Sequence, residues 1–262
     1  MNEDEKQEIA IKRDYLVVKD NQLVRSRCDL RLAEQRAIAY ICSMIKPIEH
    51  SAKADGVPSY QLEYTFDINE YAKVCGLDPD SGKFYQDTRT VLRNLMKKIL
   101  EVKLPNGDEV FTMWLVTAEL KKQSGKIKVK INDDIAHLLF DLKNNFTAYS
   151  LFNILAMKSQ YSIRIYEILK SYAFQNGLTI EVEELKRILM VDKKKSYSNF
   201  KDFRKYVIEP AIEEINGYTN LNVGYEPITQ GRKVIKVKFL ISKKATFDRF
   251  LSFAKINKEI EE

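Results

Sequence analysis

The chain has 262 residues, 45% hydrophobic and 31% charged, enough for one large or two ordinary domains and too apolar for a chain disordered throughout. Its net charge is +6, and no apolar run nears the roughly 20 residues of a membrane-spanning helix, so a soluble, cytoplasmic protein is expected. Cys28, Cys42 and Cys75 form no metal-like CxxC pair and no apolar h-region follows the charged Met1–Glu8, which suits free thiols in a reducing cytoplasm without a signal peptide.

In chain order, residues 1–14 read as a charged, frayed tail. A long helix is expected over Leu32–Ile45, and a short strand over Tyr60–Phe66. Asp67 and Glu70 have the spacing of a capping box and open a short helix. The polar stretch Asp78–Gly82 reads as a turn. An amphipathic helix then buries Thr88, Val91, Leu92, Leu95 and Ile99 on one face. Strands are expected over Val110–Val116 and Lys126–Ile131, the second alternating isoleucine and valine with lysine. Asp133–Lys143 reads as a connecting helix. The order then recurs: a helix over Ser159–Tyr172, a strand over Leu178–Val182, a short helix, and the polar loop Asp192–Ser198. A longer helix anchored by Phe200, Phe203, Val207 and Ala211 follows, with strands over Leu221–Tyr225 and Val234–Ile241. Pro210 interrupts that helix and should kink it or start a new turn.

The recurrence is visible in the residues themselves. Ile68–Asp78 aligns position by position with Val182–Asp192 in its apolar, acidic and basic places. After the loop, Phe84, Arg89, Val91, Leu92, Met96 and Ile99 face Phe200, Lys205, Val207, Ile208, Ile212 and Ile215. Helix, turn, helix and β-hairpin make a winged helix. The expected fold is therefore α+β: two tandem winged-helix domains over 15–135 and 146–245, joined by 136–145 and followed by a charged tail, 246–262.

The basic excess is concentrated on this repeat. Lys186–Lys205 holds eight basic residues against Asp192 and Asp202, and Lys83–Lys103 holds six against Asp87 and Glu101. Clustered cations attract phosphate, and the second helix of such a unit is the one that enters a major groove. In the first copy Arg89, Arg93 and Lys97 recur every four residues, with Lys83, Gln86 and Thr90 beside them. Arginine can pair guanine and glutamine can pair adenine bidentately. In the second copy Lys201, Arg204 and Lys205 lie off the apolar stripe. Lys193, Lys194, Lys195, Ser196, Tyr197 and Asn199 precede the helix, where backbone N–H groups suit a phosphate. The wing tips add Lys121, Lys122 and Lys126, then Arg232 and Lys233. Each cluster alone also fits a solvated face; their matched positions in a repeat favour DNA.

No catalytic constellation is legible. His50 and His137 lie in no HxH or HExxH pattern, which argues against a metal-dependent nicking nuclease. Gly76–Phe84 misses the phosphate-loop spacing, and Phe84 stands where a magnesium-binding hydroxyl belongs. Neither an enzyme, a metal nor a cofactor is expected.

Three stretches carry a further pattern: Val17–Arg36, with Asn21-x-Leu23 and Glu34-Gln35-Arg36; Phe146–Tyr172, with Ser159-x-Tyr161-x-x-Arg164-x-Tyr166-Glu167-Ile168-Leu169; and Phe200–Phe239, with Pro210–Asn216 and Gly231-Arg232-Lys233. In their order and spacing they resemble the iteron-binding plasmid replication initiators. The resemblance implies a bacterial, DNA-associated protein that binds direct repeats at a plasmid origin as a monomer. It implies melting of an adjacent AT-rich segment and recruitment of host initiator, helicase and chaperone proteins. It also implies dimers, formed through the first domain, that repress their own promoter at an inverted repeat. On this resemblance the second domain is the main base reader. A transcriptional regulator of the same fold, with no origin role, is the alternative.

Overall fold

The computed structural model describes residues 3–47, 51–54, 57–121, 123–142 and 144–245, without the side chains of 51–58. Lys122, His50 and the expected tail 246–262 lie outside the described residues. Two compact units emerge, one of residues up to Ser26 with Leu30–Leu155, the other of Arg27–Asp29 with Ala156 onward.

The first unit opens with α1 (Glu3–Arg13), β1 (Leu16–Asp20) and α2 (Asn21–Arg25). The frayed tail is thus corrected. Ile9 is buried, the Arg13 guanidinium donates to the carbonyls of Val74 (2.8 Å) and Lys73 (3.0 Å), and Lys12 pairs with Glu70 at 2.8 Å. The cation meets carbonyls in the last turn of a helix, an attachment that local charge patterning does not reveal. Next come α3 (Leu32–Ser43), β2 (Ser51–Ala54), β3 (Val57–Tyr60), β4 (Glu63–Asp67) and α4 (Ile68–Cys75). Asp67 caps α4, accepting from the N–H groups of Asn69 (2.8 Å) and Glu70 (3.1 Å), and Gly76 closes it at φ 66°. Glu70 is drawn away by the Tyr40 hydroxyl, at 3.0 Å, and by Lys12.

α5 (Phe84–Leu95), β5 (Leu100–Lys103), β6 (Glu109–Thr112), β7 (Leu115–Lys121) and β8 (Lys126–Ile131) follow. The antiparallel sheet runs β4-β8-β7. Ile127, Val129 and Ile131 on β8 face the core, where Tyr40 meets Phe66 and Tyr71 edge-on at 5.2 and 5.1 Å. The single strand expected over Val110–Val116 is two: β6 folds back on β5, and buried Trp114 marks the break before β7 pairs with β8.

The expected connecting segment 136–145 also belongs to this unit. α6 (His137–Phe140) is a single turn whose Leu138, Leu139 and Phe140 are buried, and β9 (Phe146–Ser150) pairs antiparallel with β1. Asn21 ties the same region together, donating to the Asn145 side chain at 2.8 Å and accepting from the Thr147 hydroxyl at 2.5 Å. The boundary therefore moves from residue 146 to the end of α7 (Leu151–Ala156), because β9 completes its hydrogen bonds on a strand over a hundred residues earlier.

The second unit continues with α8 (Gln160–Ser171), β10 (Gly177–Glu181), α9 (Val182–Ile188) and α10 (Phe200–Phe203). After a π-turn (Arg204–Ile208) come α11 (Glu209–Tyr218), β11 (Leu221–Gln230) and β12 (Lys233–Lys243). Its sheet, β10-β12-β11, repeats the strand order of β4-β8-β7. Ser159 caps α8 through the Tyr161 N–H at 3.2 Å. Glu214 accepts from the N–H groups of Lys158 and Ser159, and the Asn216 side chain exchanges two bonds with Val223, fixing α11 to β11. Phe203, Val207, Ala211, Val237, Phe239 and Ile241 form the core; Phe200 is half-buried.

No helix among the described residues is long and apolar enough to cross a membrane, and no His, Cys, Asp and Glu cluster there is fit to hold a metal.

Candidate nucleic-acid interface

In the first unit the surface is built on α5. Phe84, Thr88, Leu92 and Leu95 are buried, which turns Gln86, Arg89, Thr90 and Arg93 outward; Lys97, expected on the same helix face, is exposed on the turn after the helix, which ends at Leu95. The expected core place of Ile99 is corrected: Ile99 is 60% exposed, because the helix ends at Leu95 and Leu100 enters the core instead. Arg89, Arg93 and Lys97 have no ion-pair or hydrogen-bond partner among the described residues. The Thr90 hydroxyl donates to the Gln86 carbonyl at 2.9 Å. Lys83 stands exposed just before the helix. The helix is held from behind by Glu34, which is 2% exposed. Its carboxylate accepts from Asn94 (2.7 Å), Lys98 (2.6 Å) and the Arg31 N–H (2.8 Å).

The first wing is the turn between β7 and β8, where Lys121 lies opposite exposed Lys126. Gly125, at φ 62°, takes a backbone conformation that a side chain disfavours. Its carbonyl accepts from the Ile68 N–H at 2.9 Å and so fixes the wing to the start of α4. Lys121 has Glu119 at 3.9 Å.

In the second unit Lys201, Arg204 and Lys205 are exposed opposite Phe203 and Val207. Arg204 Nε lies 3.3 Å from Glu209, and the Lys205 ammonium sits 5.0 Å over the Tyr206 ring. Lys193, Lys195 and Ser196 are exposed on the preceding loop. Three other candidates there are engaged within the protein. Asn199 caps α10, accepting from the Asp202 N–H at 2.8 Å. Lys194 donates to the Tyr161 hydroxyl at 2.9 Å, a bond that holds its ammonium above the ordinary lysine value. The Tyr197 ring packs edge-on against Tyr161 (6.2 Å) and Phe203 (6.4 Å), and burial raises its phenol. Buried Lys186 completes the mount, donating to the Ser198 carbonyl at 3.3 Å with Phe203 beneath it at 5.7 Å. Arg232 and Lys233 stand exposed at the tip of the long β11–β12 hairpin.

The structure thus gathers two sets, each of an outward basic helix and a basic wing, one in each unit. Sequence reasoning named Tyr161 and Lys186 without their contacts and missed Glu209 and Tyr225, because these parts depend on how the helices and strands pack; only Pro210 signalled that the second helix is irregular.

A family profile described as "Initiator Replication protein, WH1" matches residues 16–170, and another, "Initiator Rep protein, WH2", matches residues 181–241. The chain belongs to the initiator replication protein family. Among curated relatives of this family, an Escherichia coli "Replication initiation protein" is 28% identical over 218 residues, covering 80% of this chain and 65% of that protein. An Escherichia coli "PI protein" is 33% identical over 114 residues, 38% of this chain and 37% of that one. The chain therefore spans just under two thirds of the first relative and about a third of the second. A crystal structure of Pi initiator protein in complex with iteron DNA matches with a TM-score of 0.69 at 19% identity, over 89% of this chain and 99% of that one. This likeness is one of fold, two tandem winged helices in an α+β chain.

Proposed function

We propose that this chain initiates replication of a plasmid by binding direct repeats, or iterons, at the origin through both winged helices. The observation that carries the reading is the repeated geometry. The same strand order occurs twice, each time with a core-anchored helix whose outer face is lysine and arginine and with a basic turn at the wing. Family membership and the fold of an initiator bound to iteron DNA support it.

On this reading Arg204, Lys201 and Lys205 read or flank bases in one major groove, and Arg89 and Arg93, with Gln86, do so in another. Lys83, Lys97, Lys126, Lys193, Lys195, Arg232 and Lys233 neutralise phosphates and set the register. Lys194, Tyr197 and Asn199 shape the loop. Contacts of this kind bend DNA, and an AT-rich segment deforms at lower cost, so binding promotes melting. Host replication proteins then load. Dimerisation through the first domain and autorepression at an inverted repeat complete the proposal. Binding requires no covalent step, so the chain acts as a binder without catalysis.

The test is a footprint of the purified protein on DNA flanking its gene across a salt series. Regular protection over direct repeats, with a neighbouring segment reactive to single-strand probes, is expected. Protection of a lone inverted repeat without melting would instead make the chain a regulator.

A further inference from the structure

Pro210 has no N–H to offer the Tyr206 carbonyl one turn back, and a proline ring crowds that carbonyl. The π-turn Arg204–Ile208 stands one residue before it, and there the Glu209 N–H reaches back five residues to the Arg204 carbonyl. The wider turn changes which side chains meet. On a regular α-helix residues five apart lie about 140° apart around the axis and do not face each other. Here Arg204 Nε and Glu209 Oε1 are 3.3 Å apart. The same oxygen accepts from the Tyr225 hydroxyl of β11 at 3.0 Å. Burial, and then Glu209 itself, raise the Tyr225 phenol above its ordinary value, so it is a donor at neutral pH. A carboxylate is thereby held from two sides on the exposed face that also carries Lys201, Arg204 and Lys205.

A fixed negative charge on such a face repels every phosphate backbone equally. It also engages Arg204 through Nε, leaving the terminal guanidinium nitrogens for a bidentate contact with guanine O6 and N7. We propose that Glu209, steadied by Tyr225, is a specificity-determining residue of the second winged helix: it holds Arg204 for a base edge and penalises binding to DNA that lacks that base. This rests on the reading of the chain as a sequence-specific DNA binder. On random DNA the repulsion is uncompensated; on the repeat the Arg204 base contact outweighs it.

The experiment measures dissociation constants of the full chain, over a salt series, for the footprinted repeat and for a scrambled duplex. Glu209→Gln should tighten random binding about five- to tenfold and steepen its salt slope by about one unit, while on the repeat the relief of repulsion is cancelled by loss of the held Arg204 contact, so that the repeat-to-random ratio falls about five- to tenfold. Tyr225→Phe should move the ratio the same way by less, and Glu209→Asp, which keeps the charge, should retain most of it. Equal loss on both duplexes, the mark of a merely structural role, or an unchanged ratio would overturn the assignment. Failure of the unsubstituted chain to distinguish the repeat from the scrambled duplex would overturn the initiator reading itself.

Discussion

Arg204 and Lys126 are both exposed cations, yet they meet different surroundings. Arg204 lies on a helix face beside a carboxylate, whereas Lys126 opens strand β8 beside the wing turn, exposed and opposite Lys121. Arg204→Ala should cost about 1–3 kcal/mol on the cognate repeat and relax its base preference. Lys126→Ala should weaken all sequences alike and lower the salt slope by about one unit. Titrations by fluorescence anisotropy on repeat and scrambled duplexes separate the two, and equal losses on both duplexes for Arg204→Ala would remove it from base reading. Glu34 acts from behind α5. Truncating it leaves Lys98 and Asn94 without their shared acceptor, so Glu34→Ala should lower stability by about 2–4 kcal/mol in chemical denaturation. A change below about 0.5 kcal/mol would mean that water replaces the carboxylate without loss. The cations of α5 were legible because a spacing of four puts them on one face. The engagements of Lys194 and Tyr197 were not, since the Tyr161 that holds them lies on another helix.

Elements whose pattern contains their own partner lists were readable; those completed by a distant strand were not. β8 and β12 alternate, and the alternation alone assigns their buried faces. Nothing local in Phe146–Ser150 says that it pairs with Leu16–Asp20, and nothing in 110–116 says that Trp114 divides it. Pro210 announced an irregularity, but whether it becomes a kink or a π-turn depends on packing around the helix. Distant pairing also makes an otherwise ordinary glycine decisive. A Cβ on Gly177 would stand 2.9 Å from the Phe239 carbonyl oxygen, a backbone atom that cannot swing aside. Gly177→Ala should therefore cost about 1–3 kcal/mol and loosen β10 from β12; full stability in thermal unfolding would show that the strands separate freely. At the other end of the chain, α1 is held by the Arg13 guanidinium on two carbonyls at the end of α4. Arg13→Ala should cost about 1–2 kcal/mol, read as faster amide exchange through Glu3–Arg13; unchanged exchange would mean that Ile9 and the Lys12–Glu70 pair suffice.

At the scale of the molecule the repeat was the most legible feature, because two copies of one order of elements carry more information than any motif within them. The division between them was misread by about ten residues, since β9 and α7 lie beside the second copy in sequence but complete the first in space. Duplication also makes a quantitative demand. Two binding modules on one chain raise each other's effective concentration, so losing one lowers the affinity of the whole far more than its own contacts suggest. Arg89, Arg93 and Lys97 all point outward, as do Lys201, Arg204 and Lys205, so replacing either trio by alanine spares both cores. Each triple variant should lose at least about 10²-fold on the repeat, and its salt slope should fall by about one unit per phosphate contact removed. The variant lacking all six should bind the repeat no better than random DNA. If only the second trio mattered, α5 would not touch DNA, and the basic face of the first unit would have to serve another acidic partner.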